Sequence, residues 1–130
     1  MISSAAAHPT RRPFRAVYGA LAFALLAAIV FGLVRHSTGW WQLAAFGLGP
    51  DVALLVGMSP GLARGQLHPR AVPLYNALHR FWGPAALGVL VVAADLSTGY
   101  VVGTLAWAFH IALDRTVGYS LRTRDGFQRA

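Results

Sequence analysis

The chain has no cysteine, no lysine and no glutamate. The first absence excludes disulfide staples, thiol catalysis and cysteine-ligated zinc. The other two leave eleven arginines and four aspartates (Asp51, Asp95, Asp114 and Asp125) as its only charged residues, 12% of 130. A soluble domain is nearer a quarter charged. With so few charges to clothe a water-facing surface, a soluble globule does not fit, and the length allows one compact unit. The net charge of +7 raises the question of nucleic acid. The arginines are scattered between apolar runs rather than gathered on one helix face, which argues against it.

What fills the chain is apolar sequence, 56% of all residues. Ala16 to Val34 carries no charge over nineteen residues, and as a helix it covers about 28 Å, close to a bilayer's hydrocarbon thickness. Within it Ala16, Ala20, Ala24, Ala28 and Gly32 recur every four residues. They form a ridge of small side chains suited to a second copy or a membrane partner. Trp40 to Met58 is a second span with a fault at its centre, Gly47-Leu48-Gly49-Pro50-Asp51, where the helix is expected to kink or break at Gly49-Pro50. Ser59 to Pro73, rich in Gly and Pro, reads as a loop. Tyr75 to Ala94 and Tyr100 to Gly118 are the third and fourth spans. The expected fold is therefore all-α: a four-helix transmembrane bundle over residues 16–118, with a basic tail at 1–15 and a polar tail at 119–130.

Arginine placement orients the bundle, because Arg-rich loops stay cytoplasmic. Arg11, Arg12, Arg15, Arg64, Arg70, Arg122, Arg124 and Arg129 fall on one side if the spans alternate, and only Arg35 and Asp95 fall on the other. Both termini are expected in the cytoplasm of a bacterial inner-membrane protein, with Trp40, Trp41 and Tyr100 at the outer interface. Thr10-Arg11-Arg12-Pro13-Phe14 also looks like the start of a twin-arginine export signal. The following apolar run is longer than a signal peptide's, so it reads as a basic flank.

The remaining polar residues lie where lipid should be: Asp51, His79, Arg80, His110, Asp114 and Arg115. A charge at the bilayer centre costs about 2.5 to 3.5 kcal/mol, so these groups must compensate one another. In the alternating topology they converge on the cytoplasmic half. His110 and Asp114 are i and i+4 and share a helix face; Tyr75 and His79 do the same, as do Asn76 and Arg80. Asp51, His79, His110 and Asp114 are thus a candidate ligand set, of the right type for zinc, manganese or iron. Arg80, Arg115, Tyr75 and Asn76 are candidates for holding an anion or substrate. A purely structural arrangement is the alternative, with Asp114 paired to Arg80 and Asp51 to a histidine. His8, His36 and His68 fall in tails or loops.

Three blocks stand in order along the chain: Gly49-Pro50-Asp51, then Tyr75-Asn76-Ala77-Leu78-His79 with Pro84, then His110-Ile111-Ala112-Leu113-Asp114-Arg115 followed by Gly118-Tyr119-Ser120-Leu121-Arg122. Together they resemble the small bacterial membrane proteins of the domain of unknown function 4260 family. The resemblance covers about Trp40 to Gln128 and implies a multi-spanning integral membrane protein. The order Pro-Asp, His-Arg and His-x-x-x-Asp is also similar to the inner-membrane metal-dependent hydrolases. That similarity implies that Asp51, His79, His110 and Asp114 are metal ligands.

Three functions follow as expectations. The first is metal-dependent hydrolysis of a lipid-linked or membrane-proximal substrate, with Arg80 or Arg115 holding an anionic group. The second is a non-enzymatic bundle or partner subunit whose buried charges serve assembly. The third is a transporter or proton path, which four spans could form only as an oligomer.

Overall fold

The structure is a computed structural model that describes residues 12–129, with side chains from Phe14 onward. Arg11, His8 and the first part of the twin-arginine-like motif lie outside the described residues. The described chain is helical, with one isolated β-bridge between Arg122 and Gln128. Helix α1 (Arg12–His36) has its one proline in the first turn, where no amide is needed. It ends with Arg35 and His36, and the arginine is a cation placed where the helix dipole favours one. The chain then reverses through Ser37 and Gly39, both at positive φ.

Helix α2 (Trp40–Leu48) gives way to a 3-10 turn at Gly49–Asp51 and then to α3 (Val52–Val56). The expected break at Gly49-Pro50 is present. The third leg departs from expectation. Instead of one helix over Tyr75 to Ala94, it consists of α4 (Val72–Leu78) and α5 (Trp82–Ala93), interrupted at His79–Phe81. Pro84 is the cause: it lacks an amide and its ring opposes a helical carbonyl four residues earlier, so it is tolerated only in the first turn of a new helix. Helix α6 (Thr98–Val117) closes the set and ends at Gly118, φ 101°.

Helix α6 is the central element, packed against α1, α2 and α5. Gly19 of α1 lies by Thr116 and Gly32 by Val102, so α1 runs antiparallel to α6. Gly88 lies by Thr104 and Gly83 by Trp107, so α5 is antiparallel as well; α2 is parallel, with Gln42 by Gly99 and Phe46 by Gly103. The α2–α6 approach depends on missing side chains, since a Cβ on Gly103 would stand 2.6 Å from a Phe46 ring carbon. Ile29, Leu33, Val102 and Ala106 form one core cluster. Ala53, Leu67, Ala71 and Tyr75 form a second, around the broken legs.

On α1 the residues turned inward are Ala22, Ile29 and Leu33, while Ala16, Ala20 and Ala24 of the small-residue ridge are exposed and Ala28 and Gly32 are half-buried. Phe14–His36 is long and apolar enough to cross a membrane, and only 17% of its most apolar stretch is buried.

Residues 119–129, expected as a polar tail, fold back onto the segment between α3 and α4. The Leu67 amide donates to Gly126 O at 2.9 Å and Thr123 N to Phe127 O at 2.7 Å. Asn76 clasps the backbone of Arg122 from both sides, donating to its carbonyl at 3.0 Å and accepting from its amide at 2.7 Å. Gly126, at φ +97°, lies so close to the Leu67 backbone that a side chain there would collide.

Candidate metal centre

The two breaks meet one another beside α6, and each delivers one residue of the candidate set. Asp51 ends the 3-10 turn that interrupts the second leg, and His79 follows the last residue of α4. His110 and Asp114 come from consecutive turns of α6. One ligand atom from each of the four residues lies within 4.8 Å of all the others. His79 Nε2 is 3.3 Å from His110 Nε2, 3.4 Å from Asp51 Oδ1 and 3.4 Å from Asp114 Oδ2. His110 Nε2 is 3.2 Å from Asp51 Oδ1 and 3.6 Å from Asp114 Oδ2.

The opposite edge of each imidazole sets what Nε2 presents. His79 Nδ1 is 2.8 Å from Tyr75 O, and His110 Nδ1 is 2.7 Å from Gly47 O. A carbonyl only accepts, so both Nδ1 atoms carry the proton and donate. In the neutral rings, both Nε2 lone pairs therefore point into the cluster. Gly47 is available for a structural reason. In a 3-10 turn each amide bonds three residues back instead of four, so the switch at Gly49–Asp51 leaves a carbonyl of the preceding turn without its helical partner.

Two imidazole lone pairs and two carboxylate oxygens facing one another are four acceptors with no donor between them, which is unfavourable without a proton or cation in their midst. These five separations are close to the roughly 3.3 to 3.6 Å between ligands that stand about 2.0 to 2.2 Å from a tetrahedral metal, and the Asp51 and Asp114 oxygens lie within 4.8 Å of each other. The four residues could thus hold a divalent metal ion. His Nδ1–H bound to a backbone carbonyl is also the usual outer support of a metal-ligating histidine.

The surroundings stiffen this arrangement. The His79 side chain is almost fully buried and that of Asp51 is 46% exposed, so the cluster opens on the Asp51 side. Tyr75 stacks on His79, centroids 4.0 Å apart and planes 15° apart, and the Arg122 guanidinium sits 4.8 Å from the Tyr75 ring centre. The carbonyls freed by the break between α4 and α5 are taken up from α6: Trp107 Nε1 donates to Leu78 O at 2.8 Å and Arg115 to His79 O at 2.8 Å.

Of the residues singled out for an anion or substrate, Tyr75 thus supports His79 and Asn76 holds Arg122. Arg115 braces the backbone of His79, and Arg80 is exposed. Among the described residues the carboxylate of Asp114 meets the two histidines rather than Arg80. Gly47, Trp107 and Arg122 were not legible as site residues. Only the glycine beside Gly49-Pro50 offered a signal.

A cavity of about 670 Å³ leads to the cluster between α2 and α6. Trp40, Leu43, Leu48, Phe109 and Leu113 form its apolar walls, and Asp51, His110 and Asp114 lie along it.

Fold and site together define an all-helical protein in which breaks in two helical legs gather two histidines and two aspartates around a central helix. Residues 18–130 match the family description Domain of unknown function (DUF4260), and the chain belongs to that family. No curated protein and no solved structure matches it.

Proposed function

We propose that this is a four-legged integral membrane protein of the bacterial inner membrane. In this reading Asp51, His79, His110 and Asp114 bind a divalent metal ion, zinc, manganese or iron, for hydrolysis of a membrane-associated substrate. The observation that carries the metal reading is the convergence of two Nε2 atoms at 3.3 Å with each Nδ1 committed to a carbonyl. Structural ion pairing asks for no such meeting of acceptors. When bound, the metal supplies Lewis acidity and a lowered pKa for water.

The protein's own residues do the rest. His79, backed by Tyr75, is the fixed point of the set. Asp51, the most exposed of the four, lies on the side from which water and substrate arrive. An ion that takes five or six ligands keeps positions for them beyond these four.

The membrane part is supported by the little-buried apolar length of α1 and by large exposed side chains on other legs, such as Leu48, Trp82 and Val92. A soluble protein rarely leaves so much contiguous apolar surface uncovered. The walls of the cavity beside the cluster fit a substrate with a hydrocarbon chain, its scissile polar group at the Asp51 end.

Elemental analysis of the detergent-purified protein tests the metal reading. One equivalent of zinc, manganese or iron is expected, lost in the double variant His110→Ala, Asp114→Ala while the helical circular dichroism persists. A wild-type protein that binds none of the three metals after reconstitution refutes it.

A further inference from the structure

A second cavity, of about 350 Å³, lies where the start of α1 meets the segment after α6. Arg15, Arg115 and Arg129 line it together with Tyr18, Tyr119 and Ser120, and none of the chain's four aspartates does. The arginines are held in place by backbone carbonyls rather than by acids. Arg15 Nε donates to Thr116 O at 2.9 Å and Arg129 Nε to Arg122 O at 3.1 Å. Arg115 uses its terminal nitrogens on His79 O and Tyr119 O. A guanidinium fixed through Nε keeps a fork of two terminal nitrogens. Those of Arg15 and Arg129 meet no acceptor among the described residues.

The negative end of the α6 dipole favours cations near Arg115 and Thr116, which accounts for two of the three. Arg129 is brought in from the far end of the folded-back segment, and three like charges lining one cavity repel unless an anion joins them. Paired guanidinium forks match the oxygens of phosphate. The volume is at the lower end for small-molecule sites and exceeds what a bare ion needs. We propose that this cavity binds the phosphate group of a phosphate monoester, with Arg15, Arg115 and Arg129 as the cationic ligands and Tyr18 and Tyr119 beside the attached group. The assignment is independent of the metal reading.

Two sources share this chemistry, a soluble phosphate and an anionic lipid headgroup, and separate arms tell them apart. Protein stripped with a chelator, so that the metal centre cannot hold phosphate, is titrated in detergent with inorganic phosphate. In parallel it is titrated in phosphatidylcholine nanodiscs with and without phosphatidic acid. Saturable one-to-one binding is expected in at least one arm. Phosphate alone identifies a soluble ligand, and phosphatidic acid alone a lipid headgroup.

Arg129→Gln and Arg15→Gln are each expected to weaken binding about tenfold, the cost of a charge-assisted hydrogen bond. Arg64→Gln, an equal charge change on the exposed loop, is expected to change it less than about twofold. If Arg15→Gln fails to fold, Arg129→Gln decides, because its side chain bonds only within the terminal segment. Absence of binding in both arms, or an equal loss in Arg64→Gln, overturns the proposal.

Discussion

Asp114→Asn keeps the shape of the side chain and removes one negative charge from the cluster, so its effect on stability has opposite sign under the two explanations of these residues. The ligand oxygens of Asp51 and Asp114 are within 4.8 Å, and unit charges at that distance repel by about 3.5 kcal/mol at an effective dielectric of 20. Asp51 is 46% exposed, and solvent screening reduces this to about 1 to 2 kcal/mol. If the imidazoles are neutral and the site is built for a cation, the metal-free variant is more stable than the metal-free wild type by that amount. Metal reverses the order. At a concentration one hundred times its Kd, it stabilises the wild type by about 2.7 kcal/mol. Loss of an outer support alone weakens metal sites ten- to a hundredfold, and loss of a ligand belongs at or beyond the upper end. At the same concentration the variant then gains only about 0.4 kcal/mol. At roughly 3 to 5 °C per kcal/mol for a chain of this size, metal raises Tm by about 8 to 13 °C in the wild type and about 1 to 2 °C in the variant. Intrinsic fluorescence follows the transition, since the chain carries four tryptophans, in chelator and then in zinc, manganese or iron. A chelated variant less stable than wild type by more than about 1 kcal/mol, with a wild type indifferent to all three metals, refutes the reasoning and leaves structural ion pairs.

Other outcomes follow from neighbouring contacts. Tyr75→Leu removes the ring between His79 and Arg122 and should weaken metal binding about tenfold, as a chelator-competition titration would measure. Gly103→Leu drives a side chain into Phe46 and should cost about 1 to 3 kcal/mol in thermal unfolding; an unchanged Tm would contradict the described α2–α6 contact. Asn76→Ala removes both bonds to the Arg122 backbone at about 1 to 3 kcal/mol, and hydrogen exchange should accelerate across residues 119–129 before it does in α6. The absence of native cysteine makes topology directly testable. In intact cells an impermeant maleimide should label Asp95→Cys and spare Arg124→Cys, and the reverse pattern would contradict cytoplasmic termini.

Properties that depend on a few consecutive residues were legible in the sequence. Gly49-Pro50 removes an amide and loosens the chain wherever it is placed, so the break in the second leg could be read directly. His110 and Asp114 share a face because four residues make about one helical turn. The break at His79–Phe81 had an equally local cause in Gly83-Pro84, which the span-like length of the largely apolar run from Tyr75 to Ala94 concealed. The candidate ligand set was reachable because polar residues in apolar legs are few and must meet. The folded-back segment at 119–129 was not, because its anchors at Leu67 and Asn76 are 59 and 46 positions away from their partners Gly126 and Arg122.

By itself, then, the sequence determined the apolar legs, the proline break in the second leg and which four side chains a cation site would use, since these follow from composition and from helical spacing. Tertiary structure alone decided that His110 Nδ1 is spent on the Gly47 carbonyl, that Arg122 backs the Tyr75 ring, and that Arg15, Arg115 and Arg129 share a cavity. Each of these requires atoms far apart along the chain to come within a few ångströms. Such distances depend on how α6 packs against its neighbours, and no local pattern of residues encodes them.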